Sequence, residues 1–252
     1  MDLEGLTERL WRERQSGDYA PAWLNGSLDL DQALEVQLGL LGRELAQGAR
    51  QAGWKVGLTS ERARLALEAD ERPFGYVLRH LRSEARLPIA ELRHPSIEPE
   101  LCFTVGSRIA GPRPSRDEVS RSVARVAAGF EINERRPGSV RPDFCSMVTD
   151  CLTQWGVVEG EGVAWSDAPD LAGVRCTLRR DGEQVYRGLS RDELDDHVES
   201  LSRLAAVLNA HGRALEPGQI VITGAFSRFD VQPGQHWCAD YEGIGSVEVA
   251  FA

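Results

Sequence analysis

Residues 97–103 read I-E-P-E-L-C-F. Side chains alternate along an extended chain, so Glu98 and Glu100 share one face while Ile97, Leu101 and Phe103 point to the other. Two carboxylates side by side repel unless a cation lies between them, and a hard divalent ion such as Mg2+ or Mn2+ suits oxygen donors. The same spacing also occurs on an ordinary half-buried strand with a solvated polar face, and this segment alone fits both readings. The stretch G-F-E-I-N-E-R-R, Gly129–Arg136, adds Glu131 between Phe130 and Ile132 on a second apolar run. Three carboxylates converging from two strands would make an incomplete octahedral site, with positions left for water and a bidentate substrate.

Around these segments the chain alternates between short β-like runs and helices. Candidate strands are Lys55–Leu58, Ile97–Val105, Gly129–Ile132, Val174–Arg179, Gln184–Arg187, Ile220–Thr223 and Val247–Phe251, with Asp181-Gly182 as a tight hairpin turn. Ser115 and Glu118 have capping-box spacing and open one helix. Ser190 and Glu193 open another, which should run through Leu201, Leu204 and Leu208 to a stop at Gly212. Before residue 53 the pattern is helical: Leu6–Gln15 first, then a longer helix capped by Asp29 or Asp31 that ends between Gly48 and Gly53. No repeat or linker divides the chain. The expectation is an α+β protein in which a helical N-terminal portion, 1–52, joins a catalytic domain, 53–252, as a single structural unit.

At 252 residues the chain can bury a substantial core. Its 29 basic and 39 acidic side chains give a net charge of −10, which argues against non-specific binding to nucleic acid or anionic membrane. Anionic small molecules stay open, because a local cation or bound metal outweighs the global sign. The five cysteines are odd in number and scattered, as in a reducing compartment. The start, M-D-L-E-G-L-T-E-R-L, lacks a signal peptide's basic and apolar regions, and no stretch approaches the roughly 18 apolar residues of a membrane span. These features predict a soluble, cytoplasmic protein.

Lys55 is the single lysine, against 28 arginines. Arginine is locked in its charged form, whereas lysine is a compact point charge whose pKa falls readily on burial. Lys55 sits in the ordered-looking run G-W-K-V-G-L-T-S, Gly53–Ser60, where it could hold a substrate anion or move a proton; chance survival of a surface lysine is the plainer reading.

Lys55, the glutamate pair and Glu131 lie in segments that resemble the fumarylacetoacetate hydrolase superfamily, in its 2-keto-4-pentenoate hydratase and 4-oxalocrotonate decarboxylase branch. The resembling segments are W-K-V-G-L-T-S (Trp54–Ser60), H-P-S-I-E-P-E-L (His94–Leu101), F-E-I-N-E-R-R (Phe130–Arg136), L-E-P-G-Q-I-V-I-T-G (Leu215–Gly224), V-Q-P-G-Q (Val231–Gln235) and G-I-G-S-V (Gly243–Val247). The resemblance implies a twisted mixed β-roll flanked by helices. It implies a divalent ion, Mg2+ or Mn2+, on Glu98, Glu100 and Glu131, with Lys55 as the active-site lysine and Thr223 and Gly224 as the loop closing over substrate. His94 and Asp150 would support the site from behind, and a homo-oligomer is common in this family.

The departures from the family's pattern bear on the reaction. Where hydratases carry P-D-x-G, this chain has E-R-P-F-G-Y-V, so Pro73 or Phe74 takes the aspartate's place and only Asp70 and Glu71 lie near. An apolar Phe74 against the substrate resembles the decarboxylases more. The usual D-S-R is Glu134-Arg135-Arg136, and the usual A-D-N-A-S is Thr149-Asp150-Cys151-Leu152-Thr153. The implied activity is that of a metal-dependent lyase on a small 2-oxo acid or 2-hydroxydienoate through a chelated enolate, tilted toward carbon–carbon cleavage by decarboxylation. Alternatives are a homologue that has lost chemistry and serves as a binding subunit, and an acylpyruvate-type carbon–carbon hydrolase. The latter needs a water-activating Glu-His pair, and no H-x-x-E-type lid segment is present.

Overall fold

A computed structural model describes residues 2–66 and 72–252. Two helices lead, α1 (Leu3–Gln15) and α2 (Leu30–Ala46). Asp29 is the cap of α2: its carboxylate accepts the Gln32 N–H while the Gln32 side chain accepts the Asp29 N–H, which satisfies two donors reciprocally. One buried residue of α2, Gln37, donates from Nε2 to the Phe74 and Val148 carbonyls at 2.9 and 2.6 Å, tying the leading helices to the body of the protein.

The chain continues through β1 (Gly53–Val56), α3 (Glu61–Ala66), β2 (Phe74–Val77), β3 (His80–Arg82), β4 (Ala85–Leu87) and β5 (Ser96–Val105). Next come α4 (Arg116–Ser122), β6 (Val123–Asn133), α5 (Phe144–Thr149), β7 (Gln154–Ala164), β8 (Arg175–Arg180) and β9 (Glu183–Leu189). The last elements are α6 (Ser190–Glu193), α7 (His197–Ala210), β10 (Ile220–Ala225), β11 (Phe229–Asp230), β12 (His236–Tyr241) and β13 (Gly245–Phe251).

Two mixed sheets result. One runs β2-β1-β10-β5-β6-β7-β3, with β11 also paired to β5; the other runs β4-β13-β12-β8-β9. The pairs β1–β10, β3–β7 and β4–β13 are parallel and the remaining pairs antiparallel. The sheets meet closely. Buried Tyr241 of β12 donates its hydroxyl proton to the Gly129 carbonyl of β6 at 3.1 Å, and a Cβ on Gly160 would come 2.1 Å from the Ser246 carbonyl oxygen. Only glycine permits that approach.

β5 fills the middle of the larger sheet. Its Ile97, Leu101 and Phe103, with Phe130 and Ile132 of β6, are closed to solvent, each contributing about 1.5–3 kcal/mol. The opposite face is closed too: Glu100 and Glu131 are 2% and 1% exposed, so these glutamates do not form a solvated strand face. The register sets Glu98 directly across from Glu131.

Several expectations need correction. The helix capped by Ser115 stops at Ser122, and β6 begins at Val123 instead of Gly129, because flanking β5 and β7 give the whole stretch partners. The helix expected from Ser190 is two, broken at 194–196, where the Asp196 carboxylate accepts the Glu199 N–H and starts α7 afresh. The strands β2, β3, β4, β7, β11 and β12 lie outside the expected set. At the β8–β9 hairpin, Asp181 and Gly182 take φ of 53° and 85°, the left-handed pair that a type I′ turn requires. No helix among the described residues is long and apolar enough to cross a membrane.

Candidate active site

Lys55 on β1, Glu98 and Glu100 on β5, Glu131 on β6 and Gly224 on β10 line one cavity of about 480 Å³. One oxygen from each of the three carboxylates lies within 4.8 Å of the others. Lys55 Nζ donates to Glu131 Oε1 at 2.6 Å, Arg228 Nη1 stands 3.2 Å from Glu98 Oε1, and the Gly224 N–H donates to Glu100 Oε2 at 2.6 Å. Gly224 has φ 129°, and a Cβ there would come 1.8 Å from Thr59 Oγ1, so both backbone and space demand glycine.

Burial, reinforced by the Glu131 carboxylate, pushes Glu98 up to about 7; burial with Glu131 and Glu98 pushes Glu100 well above the usual carboxylate range. Burial by itself would lower the Lys55 ammonium, but Glu131, Glu98 and Glu100 outweigh it and raise its pKa, contrary to the expected fall. Three crowded carboxylates, all oxygen donors within reach of one point, fit a hard divalent cation. The residues present therefore suit Mg2+ or Mn2+.

Four sequence candidates lie elsewhere. Phe74 does not line the cavity; its ring is buried edge-on to Trp54 and His211, at centroid distances of 5.5 and 5.9 Å. The residue facing Lys55 across the β1–β2 pair is Gly75. Thr223 is fully buried, and its hydroxyl sits 2.7 Å from His197 Nδ1, whose Nε2 is 2.8 Å from Ser190 Oγ; its bearing on the site runs through the next residue, Gly224. His94 is exposed, with φ 44°, and lines no part of the cavity. Asp150 bonds Arg136 Nη1 at 2.9 Å in a separate cavity of about 130 Å³, with Arg14 3.6 Å away. It precedes Cys151, Leu152 and Thr153, three successive left-handed residues, of which Leu152 and Thr153 reach the carboxylate cavity. Burial pushes the Cys151 thiol up to about 11, which rules out a ready thiolate. Asp70 and Glu71 lie outside the described residues.

The structure also brings in residues that the sequence reading passed over: Asn133, Arg135 and Arg228, with an apolar wall of Val56, Leu58, Met147, Leu152 and Leu194. The available signal was the two-residue period from Glu131, which continues to Asn133 and Arg135.

Residues 71–252 match the family described as fumarylacetoacetate (FAA) hydrolase, C-terminal. The chain is 26% identical to a 4-oxalocrotonate decarboxylase from Pseudomonas sp., over 98% of this chain and 97% of that protein. It is 27% identical to a 2-keto-4-pentenoate hydratase from Paraburkholderia xenovorans (strain LB400), over 89% and 84% of the two chains. The solved 4-oxalocrotonate decarboxylase from Pseudomonas putida G7, complexed with magnesium and adipate, superposes with TM-score 0.88 at 22% identity, covering 99% of this chain and 97% of that one. A match over that much of the sequence, on a shared arrangement of sheets, makes this chain a member of the fumarylacetoacetate hydrolase family.

Proposed function

We propose that this chain is a divalent-metal-dependent lyase acting on a small 2-oxo acid or 2-hydroxydienoate, with decarboxylation favoured over hydration. The observation that carries the reading is the convergence of Glu98, Glu100 and Glu131 with Lys55 in one cavity. The decarboxylase and hydratase relatives supply the reaction class.

Glu98, Glu100 and Glu131 would hold Mg2+ or Mn2+, which when bound supplies a Lewis acid for a 2-oxo carbonyl. Lys55 presents its ammonium to the substrate carboxylate or relays the enol proton. Val56, Leu58, Met147, Leu152 and Leu194 exclude water and favour loss of charge from a departing carboxylate. Gly224 holds Glu100 in place through its N–H. Among the described lining residues, Lys55 and the glutamates are the groups that could supply a proton for water addition, while the apolar wall suits a departing carboxylate. That wall, and not the core residue Phe74, is what favours cleavage. The helical 1–52 and the roll 53–252 acting as one unit, assembled as a cytoplasmic homo-oligomer, belong to the same proposal.

Calorimetry with Mg2+ and Mn2+, followed by ultraviolet assay on 2-hydroxydienoates and 4-oxalocrotonate with detection of CO₂, tests the reading. Metal binding with CO₂ release supports decarboxylation, and turnover without CO₂ supports the hydratase. Absence of metal binding overturns both.

A further inference from the structure

Asn133 lies two residues beyond Glu131 on β6 and lines the same cavity, yet only 1% of it is exposed. Its Oδ1 accepts the Thr153 hydroxyl proton at 3.3 Å, while Nδ2 has no hydrogen-bond partner among the described residues. Directly opposite on β5, buried Ser96 likewise leaves Oγ without one. A buried donor left unpaired is destabilising on the scale of a lost hydrogen bond, and asparagine is a poor strand former besides. A residue with both disadvantages calls for an outside acceptor.

The cavity indicates what that acceptor belongs to. Glu131, Asn133 and Arg135 all line it at a two-residue period, presenting a carboxylate, a neutral donor and a cation in order. The strand step from Glu131 to Asn133 is about 6–7 Å, close to the span of a six-carbon acid.

We infer that Asn133 is a specificity-determining residue whose Nδ2 donates a hydrogen bond to an oxygen on the substrate beyond its 2-oxo acid head; this rests on the function proposed above. The ligand class is a 2-oxo acid with a distal oxygen acceptor, not one ending in an alkyl group. A site built to hydrogen-bond its ligand rejects an analogue lacking the acceptor far more strongly than an apolar pocket rejects an extra methylene. A neutral amide also leaves the charge balance at the carboxylates undisturbed.

The test measures binding of three probes to Mg2+-loaded protein by calorimetry: pyruvate, which has only the head, and 2-oxoadipate and 2-oxohexanoate, which share a chain length but end in carboxylate or methyl. Wild type should bind 2-oxoadipate at least about tenfold tighter than 2-oxohexanoate. Asn133→Val should cut that ratio about tenfold, leave pyruvate within about twofold, and raise the melting temperature by removing the unpaired donor. Asn133→Asp keeps size and the Thr153 contact while repelling the distal carboxylate, and should weaken 2-oxoadipate at least about tenfold more than pyruvate even if the valine variant fails to fold. An unchanged ratio in the variants overturns the inference while leaving the proposed function standing. Equal loss for all three probes also overturns it, by showing that Asn133 only shapes the metal site. If wild type binds none of the probes, the proposed function and the inference fall together.

Discussion

Lys55 Nζ lies 2.6 Å from Glu131 Oε1, with the two side chains 6% and 1% exposed. The lysine stem packs over Gly75, where even a Cβ would come 3.0 Å from Lys55 Cγ. Arginine shares that stem, but its planar fork is bulkier than the ammonium that meets Glu131 and cannot release a proton near neutral pH. Lys55→Arg should therefore be nearly as inactive as Lys55→Ala, although it preserves charge. Turnover of the best 2-oxo acid is the measurement, with circular dichroism and metal binding as controls. Retention of more than about a tenth of activity, a loss under roughly 1.4 kcal/mol in barrier, would mean Lys55 is an ordinary cation.

Glu100→Ala should abolish Mg2+ and Mn2+ binding in calorimetry, because it removes one of three carboxylates and strands the Gly224 N–H. Glu100→Gln can still accept that N–H but supplies no negative charge, so it should fold normally and bind metal at least about tenfold more weakly. Unchanged affinity in either variant would refute the site.

Burial holds His197 down to about 4, against 6.5 in the unfolded chain. Between those values the unfolded state binds the extra proton, so stability falls as the pH drops through this window and is fully retained above it. The contribution is on the order of 3 kcal/mol. His197→Gln should flatten that part of the profile in urea unfolding followed from pH 7 to pH 4. An identical slope in both proteins would show that His197 already carries its proton in the fold.

Asp150 pairs with Arg136 and Arg14, remote from the carboxylates. Asp150→Asn should leave Mg2+ affinity within about tenfold while lowering stability by about 2 kcal/mol, since two part-buried guanidinium groups lose a counter-charge. Complete loss of metal binding would place Asp150 in the metal site after all.

The glutamate pair was legible in the sequence because strand alternation is local: Ile97, Glu98 and Glu100 announce their faces without reference to anything distant. Asp29, Ser115 and the Asp181-Gly182 turn were legible for the same reason. β7 was not, because Gly156, Gly160 and Gly162 erase its strand signal; they are there to let another strand or sheet approach, as Gly160 does with Ser246. Phe74 misled because its neighbours in space, Trp54 and His211, are set by tertiary packing. The break after Glu193 was hidden because Asp196 caps a new helix whose need becomes visible only when His197 reaches Thr223.

Lys55 and Glu100 stand on strands that never pair directly: β10, formed by residues 220–225, lies between them. A growing chain can pair β5 with β6, and so set Glu98 across from Glu131, long before β10 exists to bring Lys55 beside them, and contacts so far apart in sequence form late. Completion of the site becomes a marker of maturity. Nascent or truncated molecules ending before Ile220 would lack the strand that seats Lys55 next to Glu131, whatever side chains they retain.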